Sequence, residues 1–295
     1  MKKYELIKET ETCSKKRIMY RIRALKDFSD IKAGDVGGWV CSYGNLSQEG
    51  DCWIYDDAKC LDNAIVSDNA KMYGNAIMFG NTKICNNAKM YNSSIMYDNA
   101  KMCNNAKMYN SSIMCNSSIM YDNSKMFNKA KMFDKSIMCN NAEMCGNATM
   151  YDSSRMYDNS KMFNNSKMYD EARMYDNAVM FNDSIIYSNS RMYGNAVMYD
   201  TATMGKDKLL YGSINKSYKK IFQYHCEKRL LTAILTEVNE ILYSVGCQIG
   251  MTKEEFIDRI YNDCGVEGKG LEEYPHRQEY LDIIDMAENY LRKFI

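Results

Sequence analysis

From Ile54 to Met204 an apolar residue recurs at every sixth position, and no insertion breaks the spacing. Methionine fills most of these positions, as at Met72, Met78 and Met90; Ile, Val or Cys fill the others. Two residues before each one from Cys60 on, at all sites from Ala58 to Ala202, stands Ala, Ser or Thr, and the residue after it is nearly always Tyr, Phe or Cys. Two polar residues follow, commonly Asp-Asn, Asn-Asn, Gly-Asn or Asn-Ser. An apolar stripe spaced by six would spiral around a 3.6-residue helix, and Asn-rich segments are poor helix formers. The unit divides instead into a four-residue strand, such as Ala70-Lys71-Met72-Tyr73, and a two-residue corner, such as Gly74-Asn75. Side chains alternate across a strand, so Ala70 and Met72 point inward while Lys71 and Tyr73 point outward. The corner favours Asn, Asp and Gly because they tolerate left-handed backbone angles. Three strands and three corners close a triangular coil, and coils stack at the ~4.8 Å strand spacing. The pattern predicts a mostly β protein, a parallel β-helix of about eight triangular coils, on the order of 40 Å long by that spacing.

The repeat sets the domain organisation: residues 1–53 as an N-terminal cap with a first irregular coil, 54–205 as the β-helix, and 206–295 as a small α+β C-terminal domain. A solenoid leaves open strand edges at both ends, so caps are expected there. In the first cap Tyr20 to Leu25 alternates like a strand, Gly34, Gly37 and Gly38 mark turns, and Trp39 and Trp53 close the core. In the C-terminal domain Leu230 to Thr236 and Ile241 to Gln248 read as a hairpin around Val238-Asn239. Thr252-Lys253-Glu254-Glu255 is a capping box opening a helix to about Tyr261. A second helix, from about His276 to Phe294 with Pro275 at its start, carries Tyr280, Ile283, Ile284, Ala287 and Leu291 on one face.

Charge and cysteine content narrow the function classes. Lys plus Arg equals Asp plus Glu at 38 each, a net charge of zero. Any nucleic acid or anionic membrane would therefore have to be held by a local patch. No apolar run approaches the ~18 residues needed to span a bilayer, and Met1-Lys2-Lys3-Tyr4-Glu5 lacks the apolar core of a signal peptide. A cytoplasmic protein with no membrane partner is expected. Of the cysteines, Cys85, Cys103, Cys115, Cys139 and Cys145 occupy the aromatic position of the repeat, which reads as exchange within that position in a reducing compartment.

An aliphatic residue, a few loosely constrained positions and then Ala or Ser is the hexapeptide signature, and the Asn-Ala-Lys-Met-Tyr variant resembles the bacterial and prophage hexapeptide-repeat proteins of the YdcK type. Tyr20-Arg21-Ile22-Arg23-Ala24-Leu25 and Ala33-Gly34-Asp35-Val36-Gly37-Gly38-Trp39-Val40 also resemble the start of such proteins, so the resemblance spans roughly residues 18–205. It implies a left-handed β-helix, whereas the general crossover preference favours the opposite hand. It also implies a phage or prophage accessory role, with a host protein partner in the host cytoplasm and possible interference with host defence. Many hexapeptide-repeat proteins are acyltransferases that rely on a histidine base, and related carbonic anhydrases bind zinc through several histidines. The histidines here, His225 and His276, both lie outside the repeat. The chain therefore reads as non-enzymatic, with no cofactor. His225, Cys226, Cys247, Cys264 and His276 lack the Cys-x-x-Cys spacing of a zinc site, so no metal is expected.

Residues 18 apart stack, which sorts the outward positions into three faces. The first presents Ile77/Phe79, Ile95/Tyr97, Ile113/Cys115, Lys131/Phe133, Thr149/Tyr151, Lys167/Tyr169 and Ile185/Tyr187. An apolar strip on an outer surface points to a partner or to a second copy, while its own aromatic ladder would stabilise the sheet in either case. Ile77, Phe79, Ile95, Tyr97, Ile113, Phe133, Ile185 and Tyr187 are the candidate interface, and a homo-oligomer is expected. The second face carries Lys71, Lys89, Lys107 and Lys125 beside aromatics, and the third ends in Arg155, Arg173 and Arg191. Basic residues interleaved with rings suit a phosphate backbone with stacked bases. Asp152, Asp158, Asp170 and Asp176 sit at adjacent corners and are expected to neutralise the arginines, which favours a salt-bridged face over nucleic acid. The leading expectation is a rigid binding or scaffold rod; a nucleic-acid or nucleotide binder is second and an acyltransferase third.

Overall fold

The computed structural model describes residues 2–7, 18–198, 201–205, 209–210, 213–214, 218–225, 230–236, 238–245, 248–262 and 277–295. The repeat winds into a parallel β-solenoid of about nine turns, left-handed as in hexapeptide-repeat proteins. Its three flat sheets correspond to the three faces read from the sequence. Lys71–Met72 pairs with Lys89–Met90, and Ile77–Met78 with Ile95–Met96, in register at 18 residues. The extra turn comes from the ends. Val36–Val40 pairs parallel with Lys59–Cys60, and Leu209–Leu210 and Ser213–Ile214 continue two sheets beyond Met204.

Each strand proper is two residues long, such as Lys71–Met72, rather than four. The coil-to-coil bonds nevertheless span the expected segment. Lys71 N donates to Ala88 O at 3.1 Å and Tyr73 N to Met90 O at 2.9 Å. The tight corners bend the flanking residues out of the ladder. At every corner from Asp56 to Gly194 the first residue has positive φ, and the second does not. Asn, Asp, Gly and one Ser, Ser188, occupy that first position, the residue types for which the left-handed region costs least.

The interior is a column of methionines beside a column of small residues, all fully buried. Each methionine contributes roughly 1.5–3 kcal/mol by burial. The serines of the small column are less favourable. Ser124 and Ser154 donate back to the Tyr121 and Tyr151 carbonyls, at 2.8 and 2.7 Å. Ser94, Ser112, Ser118 and Ser136 find no hydrogen-bond partner.

At the N-terminal end an antiparallel sheet of Tyr4–Ile7, Tyr20–Ala24 and Val36–Val40 extends the first face. Gly34 turns with φ +99°, but Gly37 and Gly38 lie within a strand instead of marking turns. Their reason is space: a Cβ would stand 2.5 Å from Ile54 O at Gly37 and 2.4 Å from Ala58 O at Gly38. Trp53 closes the core, between Tyr4 and Phe28. Trp39 does not; it lies outside the coil with Met19 and Leu61, under the Arg21 guanidinium. Lys3 is buried and donates to the carbonyls of Glu49, Gly50 and Cys52, filling acceptors that a further coil would otherwise take.

At the other end four antiparallel strands, Tyr218–His225, Leu230–Thr236, Ile241–Val245 and Gln248–Met251, form a separate sheet. Leu231, Ala233 and Leu235 face the helices Lys253–Tyr261 and Gln278–Arg292, while Ile234 and Leu242 join the rod's core. The sheet therefore covers the last coil. The Thr252–Glu255 capping box is formed in both directions, and the five apolar residues of the second helix are all buried. Pro275 and His276 lie outside the described residues.

Two substitutions in one coil separate the core's terms. Met114→Ala should cost about 2–5 kcal/mol through the cavity it leaves. Ser112→Ala, which removes a buried hydroxyl with no partner, should leave stability unchanged or raise it. Thermal or denaturant unfolding measures both.

Candidate interaction surfaces

The in-register stack places each predicted residue on its own equivalent one coil away. On the first face Ile77, Ile95 and Ile113 pair directly and are half-buried. Lys131, Thr149 and Lys167 continue the column and separate this patch from Ile185, so the apolar strip is a three-coil patch plus an outlier. Phe79 stacks on Tyr97 at 5.3 Å and also packs against the Trp39 cluster of the cap. Phe133 begins a second stack with Tyr151, at 5.0 Å. Tyr187 is covered by the chain at Gly205, where a Cβ would fall 2.0 Å from the ring. The part of the apolar patch that neither the cap nor Gly205 covers therefore centres on Ile95, Ile113 and Tyr97.

On the second face Lys71, Lys89, Lys107 and Lys125 stack in register. Lys71 is taken up by the cap, with its ammonium 2.6 Å from Asp30 and 3.1 Å from the Ser29 hydroxyl. Glu143 interrupts the column and pairs with Lys125 at 3.0 Å and Lys161 at 3.5 Å. Lys89 and Lys107 make no ion pair among the described residues. The adjoining rings Tyr55, Tyr73, Tyr91, Tyr109 and Phe127 stack face to face at 4.4–4.9 Å. Their faces are thereby occupied by one another and only their edges are presented, which removes the platform that nucleic-acid bases would need.

The third face differs from expectation in its ion pairs. Asp152, Asp158, Asp170 and Asp176 accept the backbone N–H of the next coil's corner, at 2.9–3.3 Å. A corner carboxylate lies closer to the next corner's amide than to an arginine in mid-strand. Arg173 pairs instead with Glu171 at 3.9 Å, Arg155 reaches the Tyr157 hydroxyl at 3.4 Å, and Arg191 stacks on Arg173.

Amide ladders along the corners are the feature that sequence reading missed. Asn63 donates to Asn81 and Asn81 to Asn99, at 3.1 and 3.2 Å. Another ladder runs from Asn69 to Asn195 with one amide per coil. The signal was present as Asn recurring every 18 residues, beneath the stronger signal of turn propensity.

The cysteines of the repeat are free thiols, with Cys115 and Cys139 buried. Among the described residues no three His, Cys, Asp or Glu side chains gather as a metal site. The side chains of His225, Cys226, Cys247, Cys264 and His276 lie outside the described residues. Among the described residues no helix is long and apolar enough to cross a membrane.

No family model matches the chain. Over 77 residues, 23% of the chain, it is 42% identical to the Escherichia coli (strain K12) protein named Uncharacterized acetyltransferase YdcK. The match spans 24% of that relative, about a quarter of its length.

The Asp30–Lys71 clamp yields a pH signature. The hydrogen bond from Lys71 outweighs partial burial and holds the Asp30 carboxyl below its usual range. Its native pKa is below the unfolded value of ~3.9, so its stabilisation is present above that pH and lost as pH falls through the native value. Asp30 is 58% exposed, so the contribution is at most ~1 kcal/mol. The stability gap between wild type and Asp30→Asn should hold steady above about pH 5 and shrink below about pH 4. A gap that ignores pH would remove the clamp from the account.

Proposed function

We propose that the chain is a binding and scaffold rod that associates, with a second copy or another protein, through the first face around Ile95, Ile113 and Tyr97. The observation that carries this reading is the run of outward isoleucines, Ile77, Ile95 and Ile113, in register and half-buried beside aromatic rings. Apolar side chains in a flat array gain by excluding water from a matching surface. A rigid rod enters such a contact with little ordering cost in its backbone. The nucleic-acid reading has less support, because the ring faces are occupied and Lys71, Lys125 and Arg173 already have acidic partners. Absorbance of the purified protein at 260 nm tests it directly.

An acyltransferase is the second reading, favoured by the name of the E. coli relative. Against it, a general base must stand within hydrogen-bond reach of its acceptor, and neither histidine belongs to the repeat. Titration with acetyl-CoA distinguishes the two readings.

Changing Ile95 and Ile113 to lysine should leave the β-rich circular dichroism intact and lower the solution mass measured by sedimentation. A wild type that is monomeric at micromolar concentration and captures no protein through this face would refute the proposal.

A further inference from the structure

We infer that the corner between the third and second faces is a binding groove for an extended, uncharged polysaccharide. At the second residue of this corner stands asparagine in every coil from Asn69 to Asn195, all of them exposed. The amides donate one to the next at 3.0–3.3 Å, without a break. The fold does not require this. The second corner residue has no positive φ, so nothing conformational selects asparagine there. The equivalent positions of the other two corners carry Ser93, Ser111 and Lys129, or Ser117, Lys135 and Glu171. The backbone bond is kept whichever side chain is present: Asn159 N donates to Asp176 O at 2.8 Å, and Lys129 N to Gly146 O at 2.9 Å. One corner in three thus holds, in every coil, a residue type that the backbone conformation does not select.

The chemistry of the column selects the ligand. Each amide has two N–H donors and two acceptor lone pairs. The ladder uses one of each, which leaves a donor and an acceptor per coil directed at solvent. Asp68, Asp122 and Asp158 stand beside the amides and already accept from neighbouring corners, so it is their remaining lone pairs that add acceptors. Two shallow, open depressions that meet at Asp122 run together over six coils, from Asp68 to Asn159. Sugar hydroxyls both donate and accept, and match this set. A phosphate backbone would be repelled by the carboxylates. A peptide strand advances 3.2–3.4 Å per residue and falls out of step with coils at ~4.8 Å. A β-1,4-linked pyranose advances by roughly the thickness of one coil, so a linear β-linked chain keeps about one sugar per coil, its successive residues offering the hydroxyls of alternate edges to the amides.

The surface is separate from the apolar patch, so this inference stands or falls independently of the association proposed above. The test is calorimetric titration of the full chain with cellohexaose, xylohexaose and chitohexaose, with cellobiose and the curved maltohexaose as comparisons. At least one linear hexasaccharide should bind, with cellobiose and maltohexaose about tenfold weaker or worse. The variant Asn105→Ser/Asn123→Ser, which installs the residue of Ser93 and Ser111, should also lose about tenfold in affinity. As a readout that needs no variant, the side-chain amide NMR signals of Asn105 and Asn123 should shift with ligand while those of Asn81 and Asn165 stay fixed. No binding by any linear hexasaccharide at millimolar concentration, an unweakened variant, or shifts spread over all three corners would overturn the assignment.

Discussion

The hydrogen bond between one coil and the next, in register at 18 residues, is the constraint on which the rest of the rod depends. It forces every side chain onto its own equivalent, so each position of the repeat is repeated as a column. Methionine on methionine fills the interior, rings stack at 4.4–5.3 Å, and corner amides hydrogen-bond in line. For charges the same rule is unfavourable, because like charges directly opposite repel. Glu143 relieves one such column by standing between Lys125 and Lys161. The acidic corners avoid the problem differently, since Asp158 and Asp176 give their carboxylates to backbone amides.

The repeat's period made the solenoid, its buried methionine and alanine columns and its left-handed corners legible, because all of these are local to six residues. The hairpin around Asn239, the Thr252 capping box and the buried face of the last helix were legible for the same reason. What sequence reading missed depends on partners far along the chain. Tyr4–Ile7 becomes a strand only because Tyr20–Ala24 lies beside it. Gly37 and Gly38 are glycines because the backbone of residues 54–58 passes against them, which no turn rule reveals. The acids flanking the arginines looked like ion-pair partners until the next coil supplied closer amides. The extent of the apolar patch likewise required the register, and with it the cover that Gly205 lays on Tyr187.

The division between what the fold demands and what it leaves open carries the functional reading. Inward positions accept methionine and small residues almost exclusively, and first corner positions accept those that tolerate positive φ. The outward strand positions and the second corner positions are under no such demand, since Lys, Ile, Thr, Arg, Val and Glu all occur in the strands. We read order at these unconstrained positions as information about something outside the rod. Besides the lysine and arginine columns, such order appears in the isoleucines at 77, 95 and 113 and in the asparagines from Asn69 to Asn195.

A comparison of two neighbouring residues tests this division most directly. Asn104 and Asn105 each take part in two ladder hydrogen bonds, but only Asn104 has positive φ, at 60°. Alanine at either site removes the same number of side-chain bonds, so the difference isolates the backbone demand. Denaturant unfolding should show Asn104→Ala about 1–2 kcal/mol less stable than Asn105→Ala, the cost of a left-handed alanine. Equal losses at the two sites, or a larger one at Asn105, would mean that the fold requires the second corner asparagines after all.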